Sequence, residues 1–139
     1  MAAVGKLPAP VPELNAETER FWTAAGNGQL LLKRCSRCAA TIWYPRAMCP
    51  ECGCLRTEWF AGSGSGVVYS FTINHKGVGL YRGDPYVIAY VELEEGPRVL
   101  TNIVDVDPTE VRIGMAVKSV FVKTGDRLAL MRFAPAPPA

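Results

Sequence analysis

The sequence predicts a mainly β protein in two parts, a short helix with a cysteine-rich ribbon and then a small closed barrel of five strands. Three observations carry this. Five cysteines, Cys35, Cys38, Cys49, Cys52 and Cys54, crowd into one short stretch and none occurs elsewhere. After Gly66 apolar residues recur with period two, the signature of half-buried strands. Five such strands in about seventy residues would leave two open edges as an open sheet, and closure into a barrel removes them.

The elements follow in order. Residues 1–14 begin MAAVGKLPAPVPE, a Pro/Ala-rich composition that predicts an extended arm. A helix is expected over about 15–25: Asn15 caps, Glu17 and Glu19 suit the first turns, and Gly26 closes it in the left-handed conformation. Leu14, Phe21, Trp22 and Ala25 make its apolar stripe, which a helix this short must dock to persist. Asn27-Gly28 is a turn, residues 29–34 read as a strand into the first cysteine pair, and residues 57–60 as the return strand. Helix and ribbon thus span 15–60. The barrel spans 61–133, opening on the glycine-rich joint 61–66. In its first strand Val67, Tyr69, Phe71 and Ile73 form one face. In the second, Val87, Ala89, Val91 and Leu93 do so. Further strands are expected at about 97–104, 116–123 and 127–133, with Asp107-Pro108-Thr109-Glu110 opening one helical turn between the third and fourth. Residues 134–139, APAPPA, are expected to be a disordered tail.

The 139 residues are 49% hydrophobic and 20% charged, ordinary globular composition. Fifteen Lys+Arg against thirteen Asp+Glu give a formal net charge of +2. Residues 1–60 hold seven basic and five acidic residues, residues 61–139 eight of each. That balance argues against a whole-protein drive to nucleic acid or anionic membrane. No apolar run is long enough to span a bilayer, and the N-terminus lacks a secretory h-region, so a cytoplasmic location is expected. An odd, clustered set of cysteines points to thiolates in a reducing compartment rather than to disulfides.

Cys35-Ser36-Arg37-Cys38 and Cys49-Pro50-Glu51-Cys52 form C-x2-C-x10-C-x2-C. Each C-x2-C turn places two sulfurs on one side of a tight loop, with backbone N–H groups aimed at them. Two knuckles face to face make the tetrahedral sulfur cage that Zn²⁺ accepts. The ten-residue gap is shorter than the roughly 15–20 common in such sites, but it accommodates a strand–turn–strand. Gly53 follows the second knuckle, where a positive φ is often needed; the first has Ala39 there. Cys35, Cys38, Cys49 and Cys52 are therefore the expected metal ligands. With all four positions filled by protein the role is structural, with Zn²⁺ as the ion and iron, which the same knuckles hold in rubredoxin, as the alternative. Cys54 reads as a spare thiol.

No catalytic constellation is legible. His75 is the single histidine. It opens a ten-residue loop to Asp84 in which Lys76, Leu80, Tyr81 and Arg82 mix basic, apolar and aromatic character, against the two to five residues of an ordinary hairpin loop. His75, Lys76, Leu80, Tyr81 and Arg82 are the candidate contact residues, the bland reading being a solvated loop. Gly62-x-Gly64-x-Gly66 precedes a strand and Gly77-x-Gly79 lacks a following helix, so neither is a phosphate loop. Glu92, Glu94 and Glu95 read as the wet face and turn of one strand. Trp43, Tyr44, Arg37 and Arg46, on or between the knuckles, suit either a single-stranded nucleic-acid binder or aromatic packing of the ribbon on the helix.

Together these segments resemble a known family. The Pro-rich arm, Phe21-Trp22, Gly28-x-Leu30, the four knuckle cysteines with Pro45 and Pro50, Gly64-x-Gly66-x-Val68-Tyr69-Ser70 and residues 85–93 (PYVIAYVEL) are similar to the acyl-CoA-associated OB-fold family with an N-terminal rubredoxin-like zinc ribbon, domain of unknown function family thirty-five. The resemblance covers about residues 12–133. It implies a five-stranded OB-fold barrel after the ribbon and a thiolase-fold enzyme as partner: a thiolase, a hydroxymethylglutaryl-CoA synthase or a lipid-transfer-protein-like aldolase of steroid side-chain degradation. The expected function is a non-catalytic accessory subunit of an acyl-CoA thiolase or retro-aldolase, meeting acyl-CoA through its partner in a hetero-oligomer. A nucleic-acid-binding ribbon/OB module is the alternative.

Overall fold

The computed structural model describes residues 7–138; the first six residues of the expected arm and Ala139 lie outside them. Asn15 caps as expected, but over a preliminary turn: its Oδ1 accepts from the Glu17 and Thr18 N–H groups at 3.0 Å and from the Thr18 hydroxyl. Helix α1 then runs Glu19–Gly26, four residues later than expected. Leu14 precedes it and is exposed, while Phe21, Ala24 and Ala25 are buried. The ribbon is a three-stranded antiparallel sheet in the order β2-β1-β3, with β1 Leu31–Cys35, β2 Thr41–Ile42 and β3 Thr57–Ala61. Strand β2, two residues long, was too short to give a periodic signal.

The remaining strands are β4 Ser65–Asn74, β5 Tyr86–Leu93, β6 Arg98–Ile103, β7 Ala116–Thr124 and β8 Leu128–Pro135. They close into a barrel in the order β4-β5-β6-β8-β7, with β7 pairing back on β4. This is the five-stranded OB arrangement. The barrel interior holds Val68, Val87, Ala89, Val91, Leu93, Val99, Ile103, Val117 and Phe133. The even alternation expected for β4 is broken. A bulge between Val68 and Ser70 shifts the phase, so Val68 points in while Val67 and Tyr69 face out. The Arg98 guanidinium stacks 3.8 Å from the Tyr69 ring centroid and its Nε pairs with Glu92 Oε2 at 3.0 Å. Pro108–Glu110 is a single 3-10 turn, capped by Asp107 Oδ1, which accepts from Thr109 N–H and hydroxyl.

Residues 7–9 and 134–135 are held by the barrel more firmly than their composition suggests. Ala134 and Pro135, expected in the tail, belong to β8, opposite Lys118 and Val117. Proline is tolerated at such a strand end, where the ladder stops. The arm is strapped to the barrel: Leu7 is buried with Tyr86, Val104 and Ala134. The buried Arg132 guanidinium donates to the Leu7 and Pro8 carbonyls, and the Thr124 hydroxyl to Ala9. These contacts satisfy a guanidinium whose burial disfavours its charge.

Helix α1 packs on β8, and its C-terminal carbonyl at Gly26 accepts from Lys123 of β7. Gly26 does not adopt the left-handed conformation expected of it; Gly28 does, at φ +77. Glycine is required at 26 because a Cβ there would collide with the Arg127 carbonyl oxygen, which belongs to backbone that cannot swing away. Gly26→Ala should therefore separate α1 from the β7–β8 turn and lower stability by about 1–3 kcal/mol, read from denaturant midpoints, while metal content stays at the wild-type level.

Candidate metal centre and contact loop

The two knuckles are built alike. In the first, Cys35 N–H donates to the Ala40 carbonyl and Ala39 N–H to the Cys35 carbonyl. In the second, Cys49 N–H donates to Cys54 and Gly53 N–H to Cys49, every one of these four bonds at 2.9 Å. Arg37 N–H points at Cys35 Sγ from 3.4 Å. The result brings Cys35, Cys38, Cys49 and Cys52 together, all four sulfurs within 4.8 Å of one another. Cys35 and Cys52 are 3.6 Å apart and Cys38 and Cys49 3.7 Å. Bonds of about 2.3 Å in a regular tetrahedron require edges of about 3.8 Å, so the cage has the size of a tetrahedral metal site. Cys54 is not part of it. Its backbone closes the second knuckle as Ala40 closes the first, and its sulfur accepts from Arg56 N–H.

Cys35 and Cys52 are shifted in opposite directions as acids. The Cys38 N–H, outweighing burial and helped by Arg37 N–H and the neighbouring sulfurs, draws Cys35 down to about 6. Cys52 is pulled down by the Cys54 N–H, but burial and the surrounding sulfurs push it up to about 12. One thiolate forms readily and the next ones resist, as expected of like charges gathered in one place. A divalent cation removes that conflict, because it turns the accumulated negative charge into ligation.

The loop candidates lie apart from the cage. His75 and Lys76 are exposed directly after β4, and Leu80 is 83% exposed. Gly79–Tyr81 forms one 3-10 turn. Tyr81 is half-buried with its ring 5.6 Å from that of Tyr86, and Arg82 is exposed beside it. Leu7, Pro8 and residues 80–84 line a cavity of about 330 Å³. The arm and the loop therefore share a surface, a connection with no sequence signal. His75 makes no side-chain hydrogen bond among the described residues.

The ribbon aromatics are engaged in packing. Phe21 meets Trp22, Trp43 and Tyr44 edge-on at centroid distances of 5.0, 5.3 and 6.0 Å, and Trp22 Nε1 donates to the Tyr44 hydroxyl at 3.0 Å. Arg37 and Arg46 remain exposed. Sequence reasoning passed over Lys33, which is 8% exposed, lies 4.9 Å from the Trp59 ring centroid and donates to the Arg46 carbonyl. Burial lowers its pKa, partly offset by Glu17. It also passed over a cleft of about 400 Å³ walled by the ribbon aromatics and floored by residues 100–102 and 130–132. Six segments distant in sequence build that cleft, so no local pattern announces it.

Cage and barrel define a class, a rubredoxin-like metal ribbon joined to an OB barrel. Comparison with known proteins agrees with it segment by segment. The family model "ChsH2, rubredoxin-like zinc ribbon domain" matches residues 22–53, and "ChsH2, C-terminal OB-fold domain" matches residues 59–122. A DUF35 domain-containing scaffold protein of Methanothermobacter thermautotrophicus is 36% identical over 110 residues, 77% of this chain and 83% of the relative. A probable enoyl-CoA hydratase alpha subunit of Thermomonospora curvata is 34% identical over 129 residues, 93% of this chain; the chain spans 40% of that relative's length. Among solved structures, the Ltp2-ChsH2(DUF35) aldolase contains a chain that superposes with a TM-score of 0.80 at 33% identity, covering 90% of this chain and 98% of that one. The chain belongs to the DUF35 family of ChsH2-type proteins.

The equivalence of the knuckles makes a prediction at residue 39. Gly53 sits at φ +78 and Ala39 at φ +64, the same left-handed turn with and without a Cβ. An L-residue there costs about 1–2 kcal/mol. Ala39→Gly should recover roughly 1 kcal/mol of it after the loss to unfolded-state entropy, seen as a higher thermal midpoint and slower metal release to a chelator.

Proposed function

We propose that this chain is a non-catalytic accessory subunit that binds and stabilises a thiolase-fold enzyme acting on acyl-CoA thioesters. The observation that carries the reading is the superposition of nearly the whole chain on a component of an aldolase complex. The chemistry supports it. The cage offers no open coordination position, and the single histidine stands exposed at a loop without the nucleophile or orienting acid that a catalytic set needs. The finer assignment is a retro-aldolase or thiolase partner working on steroid-like or other bulky acyl chains, as the family resemblance implies. The 75–84 loop is the proposed contact with partner or CoA: Leu80 and Tyr81 supply apolar area, and Lys76 and Arg82 suit phosphates or acidic residues.

The ion we assign is Zn²⁺, held by Cys35, Cys38, Cys49 and Cys52 as a structural cross-link. Thiolate–zinc binding supplies on the order of 10 kcal/mol in small ribbons. About one equivalent of zinc per chain is expected, and visible absorption from bound iron would overturn the assignment. Cys38→Ser should release the metal and yield insoluble protein or protein that no longer joins a partner. Less than half an equivalent in well-folded wild type would refute a metal-dependent ribbon.

Activity separates the accessory reading from an enzymatic one. The purified chain should not turn over acyl-CoA thioesters, while its enzyme partner loses activity or solubility without it. Turnover by the chain alone, abolished in His75→Ala, would overturn the reading. For the loop, a Tyr81→Ala/Arg82→Ala variant that keeps its zinc should bind its partner roughly thirtyfold more weakly, the loss of about 2 kcal/mol typical of a buried anchor. Unchanged affinity and unchanged KM for the acyl-CoA would make the loop a bystander.

A further inference from the structure

The four sulfurs that meet in the cage are not equally sheltered. Cys35 and Cys49 are buried, Cys52 is half-buried, and Cys38, at the tip of the first knuckle, is exposed. The sulfurs also stand in two pairs that each cross from one knuckle to the other, Cys38 with Cys49 at 3.7 Å and Cys35 with Cys52 at 3.6 Å. Metal ligation holds such sulfurs as thiolates at neutral pH. An accessible thiolate beside a second cysteine is the arrangement that peroxides oxidise reversibly. Disulfide sulfurs lie about 2.05 Å apart, so the Cys38–Cys49 pair has only to close by roughly 1.7 Å.

The cage fixes both ends of residues 39–48, the segment that carries Trp43 and Tyr44 against Phe21. A Cys38–Cys49 disulfide spans that same segment and restrains it without the ion. A disulfide within one knuckle, Cys35–Cys38 or Cys49–Cys52, leaves the two knuckles free of each other. Cys54 is the competing thiol. Its sulfur is not one of the four that converge, and it accepts from Arg56 N–H at 3.4 Å, engaged with its own segment.

We propose that Cys38 is a peroxide-oxidation site, and that its oxidation yields a Cys38–Cys49 disulfide which takes over from the metal as the link between the knuckles. The Cys38 thiolate attacks one peroxide oxygen, the O–O bond breaks, and the departing hydroxide takes a proton to become water. The Cys49 thiolate then attacks the Cys38 sulfenic sulfur. The S–S bond forms, the S–O bond breaks, and the hydroxide leaves as a second water. Two thiolates give up two electrons, and one hydrogen peroxide accepts them. The cage keeps two of its four ligands and no longer holds an ion. This rests on the zinc reading of the cage and assigns a thiol chemistry to one of its ligands.

The probe is hydrogen peroxide, added to the zinc-loaded full chain in the presence of a zinc-indicating dye. Zinc release should run in step with the loss of two hydrogens from the chain, and reductant with added zinc should reverse both. Trypsin cuts after Arg37, Arg46 and Arg56 and a glutamate-specific protease after Glu51, so residues 38–46 joined to 47–51 identify the Cys38–Cys49 bond. Cys54→Ser should release zinc at the wild-type rate and give the same linkage. Tryptophan emission should stay at the maximum of the zinc form, whereas chain stripped of zinc under reductant shifts to the red. Any other partner for Cys38, or zinc release with sulfinic or sulfonic acid alone, would overturn the inference and leave the metal assignment standing. So would zinc that stays bound at peroxide levels that oxidise glutathione. An oxidised chain with the emission of the stripped one would overturn the replacement of the cross-link. A folded chain that holds no zinc before oxidation would remove the metal assignment and this inference with it.

Discussion

The ribbon depends on four sulfurs meeting in one coordination sphere. Its buried core at the tip is Cys35, Ile42 and Cys49, with Ala40, Cys52 and Cys54 packed around them. So little apolar burial cannot offset the backbone entropy of ordering some thirty residues. Ligation replaces the missing core, and the thiols fit that role: the backbone N–H groups favour the Cys35 thiolate, while burial and the neighbouring sulfurs hold Cys52 protonated until a cation takes its proton's place. The left-handed Ala39 is a consequence. Identical knuckles need identical turns, and the first tolerates a Cβ where the second has none.

From that cross-link the rest of the N-terminal half is positioned. The segment between the knuckles carries Trp43 and Tyr44, and holding both its ends holds these rings against Phe21 and Trp22 of α1. Helix α1 in turn lies on β8, so the metal indirectly sets one wall of the cleft between ribbon and barrel. Loss of the ion would be felt not only at the ribbon tip but at the surface where ribbon and barrel meet.

Two buried cations hold irregular segments in place. Lys33 is tied to the Arg46 carbonyl and the Trp59 ring, and Arg132 to carbonyls of the arm. Each donates to backbone carbonyls, and each fastens an irregular segment to a strand. A buried charge left without its partner is strongly destabilising, so these contacts fix the inter-knuckle segment and the arm firmly. The ion pair of Arg98 with Glu92 is solvent-exposed and contributes little.

What the sequence determined by itself was local or chemical. The spacing of Cys35, Cys38, Cys49 and Cys52 stated the cage, and period two stated β5 with its inward Val87, Ala89, Val91 and Leu93. Asp107-Pro108 stated a helical turn. Each rests on neighbours in the chain or on a coordination rule that does not depend on the surroundings. What the tertiary structure decided required knowing which distant segments touch. Gly26 is glycine because of Arg127, a Pro-rich arm is ordered because Arg132 and Thr124 hold its carbonyls, and β4 changes phase at Tyr69 because closing the barrel needs a bulge there. The cleft between ribbon and barrel is the extreme case. Its floor comes from β6 and β8 and its walls from the arm, the helix, the ribbon and a barrel loop. Periodicity records which way each side chain faces; it carries no information about which distant segments meet.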